Sequence, residues 1–248
     1  MPVVITNLNF AAVMNYVCQL TGYPQSTDPA GSTDPKHAQM RAAVTEACAA
    51  LLALKEWQDL TERGSISVVA SGPGVKEQGY PLPADFYRFI DQTQWGQEQM
   101  WPAGGPVSPQ AWMKYIIWGT YPQMTLFWQL RRDQLFVLSP PFPTPLTFEF
   151  FYLSKAQIID GTDPTIRKNA LTNNNDTFVL DSYMVALLAR KKWLEWNNMD
   201  STAATQDFNT VFNSRAGSDK GASVLSLSRR QVVPLISVNN IPDTGIGL

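Results

Sequence analysis

The sequence has few charged residues, one histidine and two cysteines. Charged residues make up 16% of its 248 residues, against the usual share of about 25%. A Ser–His–Asp or Cys–His site would have to use His37, and a zinc site needs more histidine or cysteine ligands than this chain offers. We therefore interpret His37 as a surface histidine. Cys18 and Cys48 are expected to be free, buried thiols in a reducing compartment.

Sequence signals for nucleic-acid binding, membrane spans and secretion are also missing. The net charge is −2, so there is no basic footprint for holding nucleic acid. No apolar run approaches the ~20 residues of a membrane span. No Lys or Arg precedes Lys36, so the start of the chain lacks the basic region of a secretory signal. A weakly charged surface suits a chain that neighbours largely cover, because interface cores are depleted of charge.

Helical periodicity marks the first part of the chain. Apolar residues at helical spacing predict a first helix from a cap at Thr6 or Asn7 to about Leu20. A second helix is expected to begin at Asp34, with a proline in its first turn, and to run to about Leu60.

Strand patterns dominate the middle of the chain. SISVV and LTFEFFYLSKA read as strands, the latter as the longest, and a further strand is expected from Phe89 to Trp95. RRD separates two strands of a predicted hairpin, and Ser108 is expected to cap a short helix over SPQAWMKYIIWG. Alternation divides the longest strand into two faces: Thr147, Glu149, Phe151 on one, and Phe148, Phe150, Tyr152 on the other.

Helices return at Asp181, which we expect to cap a helix, and a shorter helix is expected to stop at Gly217. The order of elements predicts an α+β fold rather than a parallel sheet. We expect a helical bundle built from the N-terminal and C-terminal helices, with a β-strand-rich insertion resembling a small sandwich or barrel. The expected regions are residues 1–63 and 176–217 for the helical domain, 64–160 for the β-rich region, and 221–248 for an extended C-terminal arm.

Carboxylate chemistry would be compatible with this composition, because a glycosidase needs only two acids that flank a cleft. The alternative function is therefore a glycoside hydrolase. Spacing does not show which acids, if any, form a pair. The candidates are Asp59 with Glu62, Asp85, Glu149 and Glu195.

The stretch YPLPADFYRF, residues 80–89, combines two prolines with four aromatic residues. Proline restricts its own backbone and that of the preceding residue, so this elbow loses little entropy when it becomes ordered. We expect Phe86 and Phe89 to pack on a core while Asp85 and Arg88 remain solvated. The elbow is predicted to fix the crossing from the helix pair to the β region.

Several segments occur in a characteristic order: KEWQDL, YPLPADFYRF, QLFVLSPPFPTPLTFEFFYLSKA and TNNNDTFVLDSYMVALLARKKWLEW. This series resembles the head-to-tail adaptor proteins of short-tailed bacteriophages, also called connector or tail accessory proteins. The likeness runs from about Leu54 to Phe212, and the final IPDTGIGL also looks like an adaptor C-terminus. Two departures are RRD where the family's hairpin often has a glycine, and KKWLEW where its helix often has more arginine.

The resemblance implies a structural virion protein that forms a dodecameric ring. The ring would lie between the portal and the tail nozzle, with the double-stranded genome passing through its lumen without specific binding. The protein would be synthesised in the host bacterial cytoplasm and would make no contact with a membrane. The resemblance implies no cofactor or reaction, and no metal site is expected. With the resemblance, the glycoside hydrolase alternative becomes a virion-associated enzyme acting on peptidoglycan, and a different ring or stopper component of the tail is a further alternative.

The arm contains spaced apolar residues that fit no helix or hairpin pattern. A segment that cannot fold by itself often becomes ordered on a partner, so we expect the arm to bind the portal. The alternative is a frayed or self-packed terminus. The candidate partner-binding residues are Val233, Leu235, Ile236, Val238, Ile241, Ile246 and Leu248.

Overall fold

The computed structural model describes residues 8–69, 77–97, 101–118, 126–138 and 146–219. The helices in these ranges are α1 (Phe10–Thr21), α2 (Pro35–Leu54), α3 (Pro109–Trp118), α4 (Ser182–Trp196) and α5 (Thr202–Asp219). The strands are β1 (Thr61–Val68), β2 (Glu77–Pro81), β3 (Phe86–Phe89), β4 (Trp95–Gly96), β5 (Trp101–Pro102), β6 (Trp128–Arg131), β7 (Gln134–Leu138), β8 (Leu146–Ser154), β9 (Ile158–Ile159), β10 (Arg167–Lys168) and β11 (Thr177–Phe178). This composition confirms the predicted α+β class.

Four helices, α1, α2, α4 and α5, contribute to one hydrophobic cluster. The predicted caps of α2 and α4 are confirmed, since Asp34 accepts from the Lys36 N–H and Asp181 accepts from the Tyr183 N–H. The predicted cap of α1 was wrong. Asn9 caps this helix by accepting from the backbone N–H of Ala12, and the positions proposed for the cap lie outside the described residues.

Two predicted helix ends were wrong because tertiary contacts set them. α2 ends at Leu54, six residues early, and the chain then forms a 3₁₀ turn over Gln58–Leu60. The Trp57 indole N–H folds back and donates to the Leu51 carbonyl at 2.8 Å, which satisfies an acceptor at the helix end. α5 continues beyond Gly217 to Asp219.

The strands form three antiparallel sheets. Sheet 1 has the order β1-β8-β4-β5, with β3 also paired to β8; sheet 2 has the order β2-β7-β6; and sheet 3 has the order β10-β9-β11. β8, with nine residues, is the longest described strand, as predicted. Its predicted faces are also confirmed, because Phe148, Phe150 and Tyr152 are buried whereas Phe151 is 43% exposed.

A second hydrophobic cluster lies between sheets 1 and 2. It contains Phe148 and Phe150 from β8 together with Tyr80, Leu135 and Val137 from sheet 2. The predicted hairpin is confirmed, since β6 and β7 pair across a two-residue turn. Both turn residues, Arg132 and Asp133, have positive φ, 48° and 60°, as a type I′ turn requires.

The role predicted for the elbow needs correction. Residues 80–89 carry the chain from β2 in sheet 2 to β3 in sheet 1, rather than from the helices to the sheets. Phe86 and Phe89 pack against the second cluster as expected. The strand expected from Phe89 to Trp95 is divided, because the chain turns between β3 and β4 and Gln92 has a φ of 62°.

α3 covers the outer side of sheet 2, and its predicted cap is confirmed because Ser108 accepts from the Ala111 N–H. The Trp112 side chain, 2% exposed, donates to Glu77, and Arg131 lies over both the Trp112 and Phe136 rings. Glu77, Phe136 and Leu138 alternate with the residues that face the second cluster. The order of layers is therefore sheet 1, the shared core, sheet 2 and α3.

Candidate functional site

The candidate arm residues lie outside the described part of the chain, so their predicted role in partner binding stays a prediction. They are Val233, Leu235, Ile236, Val238, Ile241, Ile246 and Leu248. The structure does describe the helix that leads into the arm, since α5 ends at Asp219.

The end of α5 is held against the end of α2 by a buried lysine, and we call this group of contacts the arm root. The Lys55 ammonium lies 2.6 Å from an Asp219 carboxylate oxygen and donates to the Ala216 carbonyl at 2.7 Å. It also lies 4.9 Å from the centre of the Trp57 ring. The Gln58 N–H donates to the second Asp219 oxygen at 3.2 Å. A buried lysine with these partners fixes the last turn of α5.

A cleft of about 320 Å³ adjoins the arm root. Arg215 on α5 forms an ion pair at 2.7 Å with Asp181, the cap of α4, on its wall. The lining side chains include Trp57, Asp59, Leu180, Asp181, Met184, Arg215, Ser218 and Asp219. Among the described residues, no group of three or more His, Cys, Asp or Glu side chains is placed to hold a metal ion.

The structure distributes the candidate catalytic acids over separate elements. Asp59 lies in the 3₁₀ turn, and Glu62 lies in β1, where it pairs with Arg167 at 2.8 Å. Glu149 lies on the outer face of β8 and pairs with Arg63 at 2.7 Å. Each of these two glutamates therefore has an ion-pair partner within the fold.

The two remaining acids also have local partners. Glu195 on α4 lies 3.8 Å from Lys191. Asp85 in the elbow is half-buried and accepts hydrogen bonds from the hydroxyl groups of Ser154, at 2.6 Å, and Tyr152, at 3.1 Å. The expectation that Asp85 remains solvated is therefore met only in part. Burial, together with the adjacent Asp85 carboxylate, raises the pKa of Tyr152 above its usual value.

His37 is buried, with 7% of its surface exposed, so the prediction of a surface histidine was wrong. Its Nε2 is 3.0 Å from the Pro24 carbonyl, and its Nδ1 is 2.8 Å from the Ser32 hydroxyl. It connects the loop after α1 to the first turn of α2. Cys18 and Cys48 are free and buried, as predicted, and burial raises the pKa of the Cys48 thiol to about 12.

A fully buried carboxylate, Asp176, organises the loop of residues 160–176, and sequence reasoning missed it. It accepts from the backbone N–H groups of Gly161, Thr172 and Asn173 and pairs with Lys168 at 2.8 Å. Burial by itself would raise the pKa of Asp176, but these partners lower it below the usual carboxyl value.

The same loop is attached to the start of α1. The Phe10 N–H donates to the Asp176 carbonyl at 2.7 Å, and the Ala11 N–H donates to the Asn174 carbonyl at 3.1 Å. The Asn174 side chain also accepts from the Ala30 N–H. The loop therefore satisfies donors that the first turn of a helix leaves free. The sequence NNND was a signal for this role, because Asn and Asp readily bond to nearby backbone groups.

The outer face of sheet 1 carries two exposed aromatic side chains. Phe151 pairs in register with Arg63, and Glu149 pairs with both Ser65 and Trp95, so these five residues share one side of the sheet. Phe151 is 43% exposed and Trp95 is 39% exposed. We call these five residues the sheet patch. The alternation in β8 indicated the position of Phe151.

The outer side of α3 carries two further exposed apolar side chains. Met113 is 53% exposed and Ile117 is 65% exposed. Their spacing of four places them on one stripe of the helix, on the side away from Trp112. The helix patch consists of four exposed residues at helical spacing: Gln110, Met113, Lys114 and Ile117.

The described elements thus define an α+β protein with two hydrophobic clusters, exposed apolar surfaces on its β-rich part and an anchored helix, α5, that ends at Asp219. None of the described helices is both long enough and apolar enough to cross a membrane. The sequence matches the SU10 adaptor protein family over residues 9–234. The chain therefore belongs to this family of phage head-to-tail adaptors, which confirms the resemblance and identifies a structural adaptor.

The family match extends beyond the segments that carried the resemblance. It begins next to α1 and ends at residue 234, within the predicted arm. No curated protein matches the chain.

Proposed function

We propose that the protein forms a dodecameric ring between the portal and the tail nozzle of a short-tailed phage, with the genome passing through the ring. Membership of the adaptor family over residues 9–234 is the observation that carries this proposal. The net charge of −2 supports it, because a ring wall without a basic stripe lets DNA slide past without being held.

The proposed domain organisation follows the order of elements. The helical domain is formed by residues 1–63 and 176–217, the β-rich region by residues 64–160, and the arm by residues 221–248. The shared cluster of α1, α2, α4 and α5 supports the first assignment. The layered arrangement of sheets 1 and 2 around one core supports the second.

The arm is the proposed contact with the portal. It follows directly from α5, whose last turn is anchored at the arm root by Lys55 and Asp219. An anchored helix end gives a following segment a defined starting point on the molecule. Apolar arm residues then bind by burying their side chains in the portal protein. The free energy of this burial offsets the conformational entropy that the arm loses when it becomes ordered on binding.

Truncation tests the role of the arm. A chain that ends at Gly221 retains α5 and the Lys55–Asp219 ion pair, so it is expected to fold normally. Pull-down with the portal protein of the same phage should show loss of binding, while circular dichroism and the unfolding midpoint remain those of the full chain. Unchanged portal binding would refute the proposed contact.

A substitution variant gives a matched comparison within the full-length chain. Replacing Val233, Leu235 and Ile236 with Ser should weaken portal binding strongly, whereas replacing the polar residues Asn239 and Asn240 with Ser should leave it nearly unchanged. Equal effects of the two variants would show that the apolar side chains do not carry the contact.

Electron microscopy of virions tests the ring itself. Density for this chain is expected as a closed ring at the junction of capsid and tail, with twelvefold symmetry. Its absence from that junction would overturn the proposed function. A monomer in solution is compatible with the proposal, because a ring can assemble on the portal as a template.

A further inference from the structure

We propose that the open edge of β1 binds a segment of the chain's own arm, residues 223–229, as an added parallel strand. This segment reads SVLSLSR. It precedes the candidate portal-binding residues, so the docking concerns a different part of the arm and does not depend on the proposed ring.

β1 is the longest strand at an open sheet edge in the part of the chain that the structure describes. It has eight residues, and β8 is its only strand partner in that part. Its register with β8 is continuous, and its sequence, TERGSISV, contains no proline or lysine. Proline, lysine and bulges are the usual means of protecting an edge. An edge without them readily pairs with an extended peptide.

The backbone groups that β1 directs outward follow from the other side of β8. The Gln97 N–H donates to the Thr147 carbonyl, so the backbone groups of Thr147 face β4. Ser67 lies opposite Thr147 and therefore directs its own N–H and C=O away from β8, and alternation extends this to Ser65 and Arg63. All three residues are exposed. No described residue bonds to these backbone groups.

The described part of the chain ends next to the residues that lead into β1. The Lys55 ammonium donates to the Ala216 carbonyl, and the Gln58 N–H donates to Asp219, and in each pair the partners are 161 positions apart. The end of α5 therefore runs beside the linker after α2 in the same direction. Because β1 begins at Thr61, a chain that continues from α5 in this direction meets the edge of β1 as a parallel strand.

The same separation of 161 positions defines a register in which residues 223–229 lie beside residues 62–68. Five residues lead from Gln58 to Arg63, and part of this path is the 3₁₀ turn, which rises only about 2 Å per residue. Five extended residues after Asp219 span up to about 17 Å. The chain is thus long enough to reach β1 in this register.

The alternation of the segment fits the two faces of sheet 1 at this edge. In β1, Ser65 and Ser67 lie on the outer face, whereas Ile66 packs against the cluster between the sheets and is only partly buried. In the register given above, Leu225 and Leu227 fall on the inner face beside Ile66, and the serines that follow them fall on the outer face. A shift by one residue would move both leucines into solvent.

The charges at the start of this path are complementary. Asp59 is exposed and lines the cleft at the arm root together with Ser218 and Asp219. It forms no ion pair with another described residue. Lys220 lies 161 positions after Asp59 in the sequence, so its ammonium falls beside this carboxylate. An exposed pair contributes little free energy, but its sign favours the same register.

The added strand is expected to open without unfolding of the remaining fold. Backbone hydrogen bonds contribute modestly in water, and the entropy lost on ordering the segment offsets much of that contribution. Docking is therefore a local equilibrium. Cross-linking and local amide exchange report it, whereas the midpoint of global unfolding does not.

Cysteine pairing in the isolated full-length chain tests the occupant and the register. Ser65→Cys and Ser226→Cys place two thiols side by side on the outer face of neighbouring strands, at a separation that a disulfide can span. Mild oxidation should give an intramolecular disulfide in most molecules, identified by mass spectrometry of the linked peptides. The native Cys18 and Cys48 are buried, so they are not expected to react.

Ser65→Cys with Leu225→Cys is the matched control, because these two side chains would lie on opposite faces of the sheet. Equal cross-linking in the two double variants would overturn the proposal, as would absence of the Ser65–Ser226 disulfide in a normally folded chain. A disulfide-linked dimer of the first variant would show that the arm of a second copy occupies the edge, and would also overturn it.

A pair of proline substitutions tests the backbone contact. In the proposed register the Leu227 N–H donates to the Ser65 carbonyl, whereas the Ser226 N–H points to solvent, where proline is tolerated. Amide exchange measured by NMR at Ser65 and Ser67 should become at least about tenfold faster in Leu227→Pro and stay unchanged in Ser226→Pro. The amide of Gly64, which faces β8, should not change in either variant.

Equal exchange at Ser65 and Ser67 in the two proline variants would overturn the docking, and so would amides that are already unprotected in the native chain. Circular dichroism checks that each variant folds. Because these measurements need no portal, failure of the chain to form a ring would leave the docking standing. An unoccupied β1 edge would likewise leave the proposed ring and portal contact standing.

Discussion

At the residue scale, Gly64 is required by a close approach within the sheet. It lies opposite Phe150 in the β1–β8 pair, and an added Cβ would lie 2.5 Å from the Phe150 ring. Gly64→Ala should therefore lower the free energy of unfolding by about 1–3 kcal/mol, because a packed core resists an additional methyl group. Denaturant unfolding followed by tryptophan fluorescence measures this change.

Gly217→Ala is the matched control. Gly217 lies within α5, and an added Cβ there would meet no atom within 4 Å. Alanine should stabilise this helix by about 0.5–1 kcal/mol, since it restricts the unfolded chain more than glycine does. Similar effects of the two substitutions would contradict the role given to the Phe150 contact.

Asp176 provides a second test at the scale of single residues. Asp176→Asn keeps the shape of the side chain but leaves Lys168 without its buried partner. The free energy of unfolding should fall by about 1–3 kcal/mol, because only one of the two terminal side-chain atoms of asparagine can accept from the N–H groups that Asp176 satisfies. Lys168 keeps its ion pair with Asp160 at 3.2 Å. Asp133→Asn, at an exposed turn position with positive φ that suits asparagine, should change stability little.

The pH dependence of this difference follows from the direction of the shift. The pKa of Asp176 in the folded protein is below the usual carboxyl value of 3.8. Its contribution to stability is therefore complete above that value and is lost as the pH falls through the lower folded pKa. The stability difference between the native chain and Asp176→Asn should be constant near neutral pH and shrink below about pH 4. A difference that persists unchanged at pH 2–3 would contradict the assignment.

At the scale of secondary-structure elements, the end of α5 depends on a residue in the linker after α2. Lys55→Met should remove the ion pair with Asp219 and the hydrogen bond to the Ala216 carbonyl. We expect a loss of about 3 kcal/mol, because Asp219 stays partly buried with the Gln58 N–H as its remaining partner and without a compensating charge. Amide hydrogen exchange should show fraying of the last turn of α5, which leads into the arm.

Lys192→Met is the control for this variant. Lys192 pairs with Glu46 at 2.6 Å, but the glutamate side chain is 49% exposed. Breaking such a pair should cost less than about 1 kcal/mol, since solvent screens it. Faster exchange at the end of α5 in the Lys192 variant, or its absence in the Lys55 variant, would show that the arm root is not held as described.

Local sequence patterns predict where some helices begin but not where they all end. The starts of α2 and α4 follow from Asp34 and Asp181, because a cap is a contact between residues two or three positions apart. The end of α2 does not follow from the local sequence, because it depends on the Trp57 side chain folding back onto the Leu51 carbonyl. The elbow shows the same limit, since its stiffness is visible in its prolines but the two sheets that it connects are not.

At the scale of the whole molecule, β8 joins the two hydrophobic clusters. Leu153 is buried in the helical cluster, whereas its neighbour Tyr152 is buried in the cluster between the sheets. One continuous strand therefore connects the part that carries the arm root with the part that carries the sheet and helix patches. In the proposed ring, the arm holds the portal.

The sequence by itself determined the α+β class, the alternating faces of β8, the tight hairpin and the adaptor resemblance, because each depends on residues close together in the chain. Only the tertiary structure decided the burial of His37, the partners of Asp176 and the anchoring of α5. Lys55 and Ala216 are 161 positions apart, and no periodicity relates residues at that separation. The opposite positions of Phe151 and Ile117 have the same origin, since they follow from the order in which the sheets and α3 are layered.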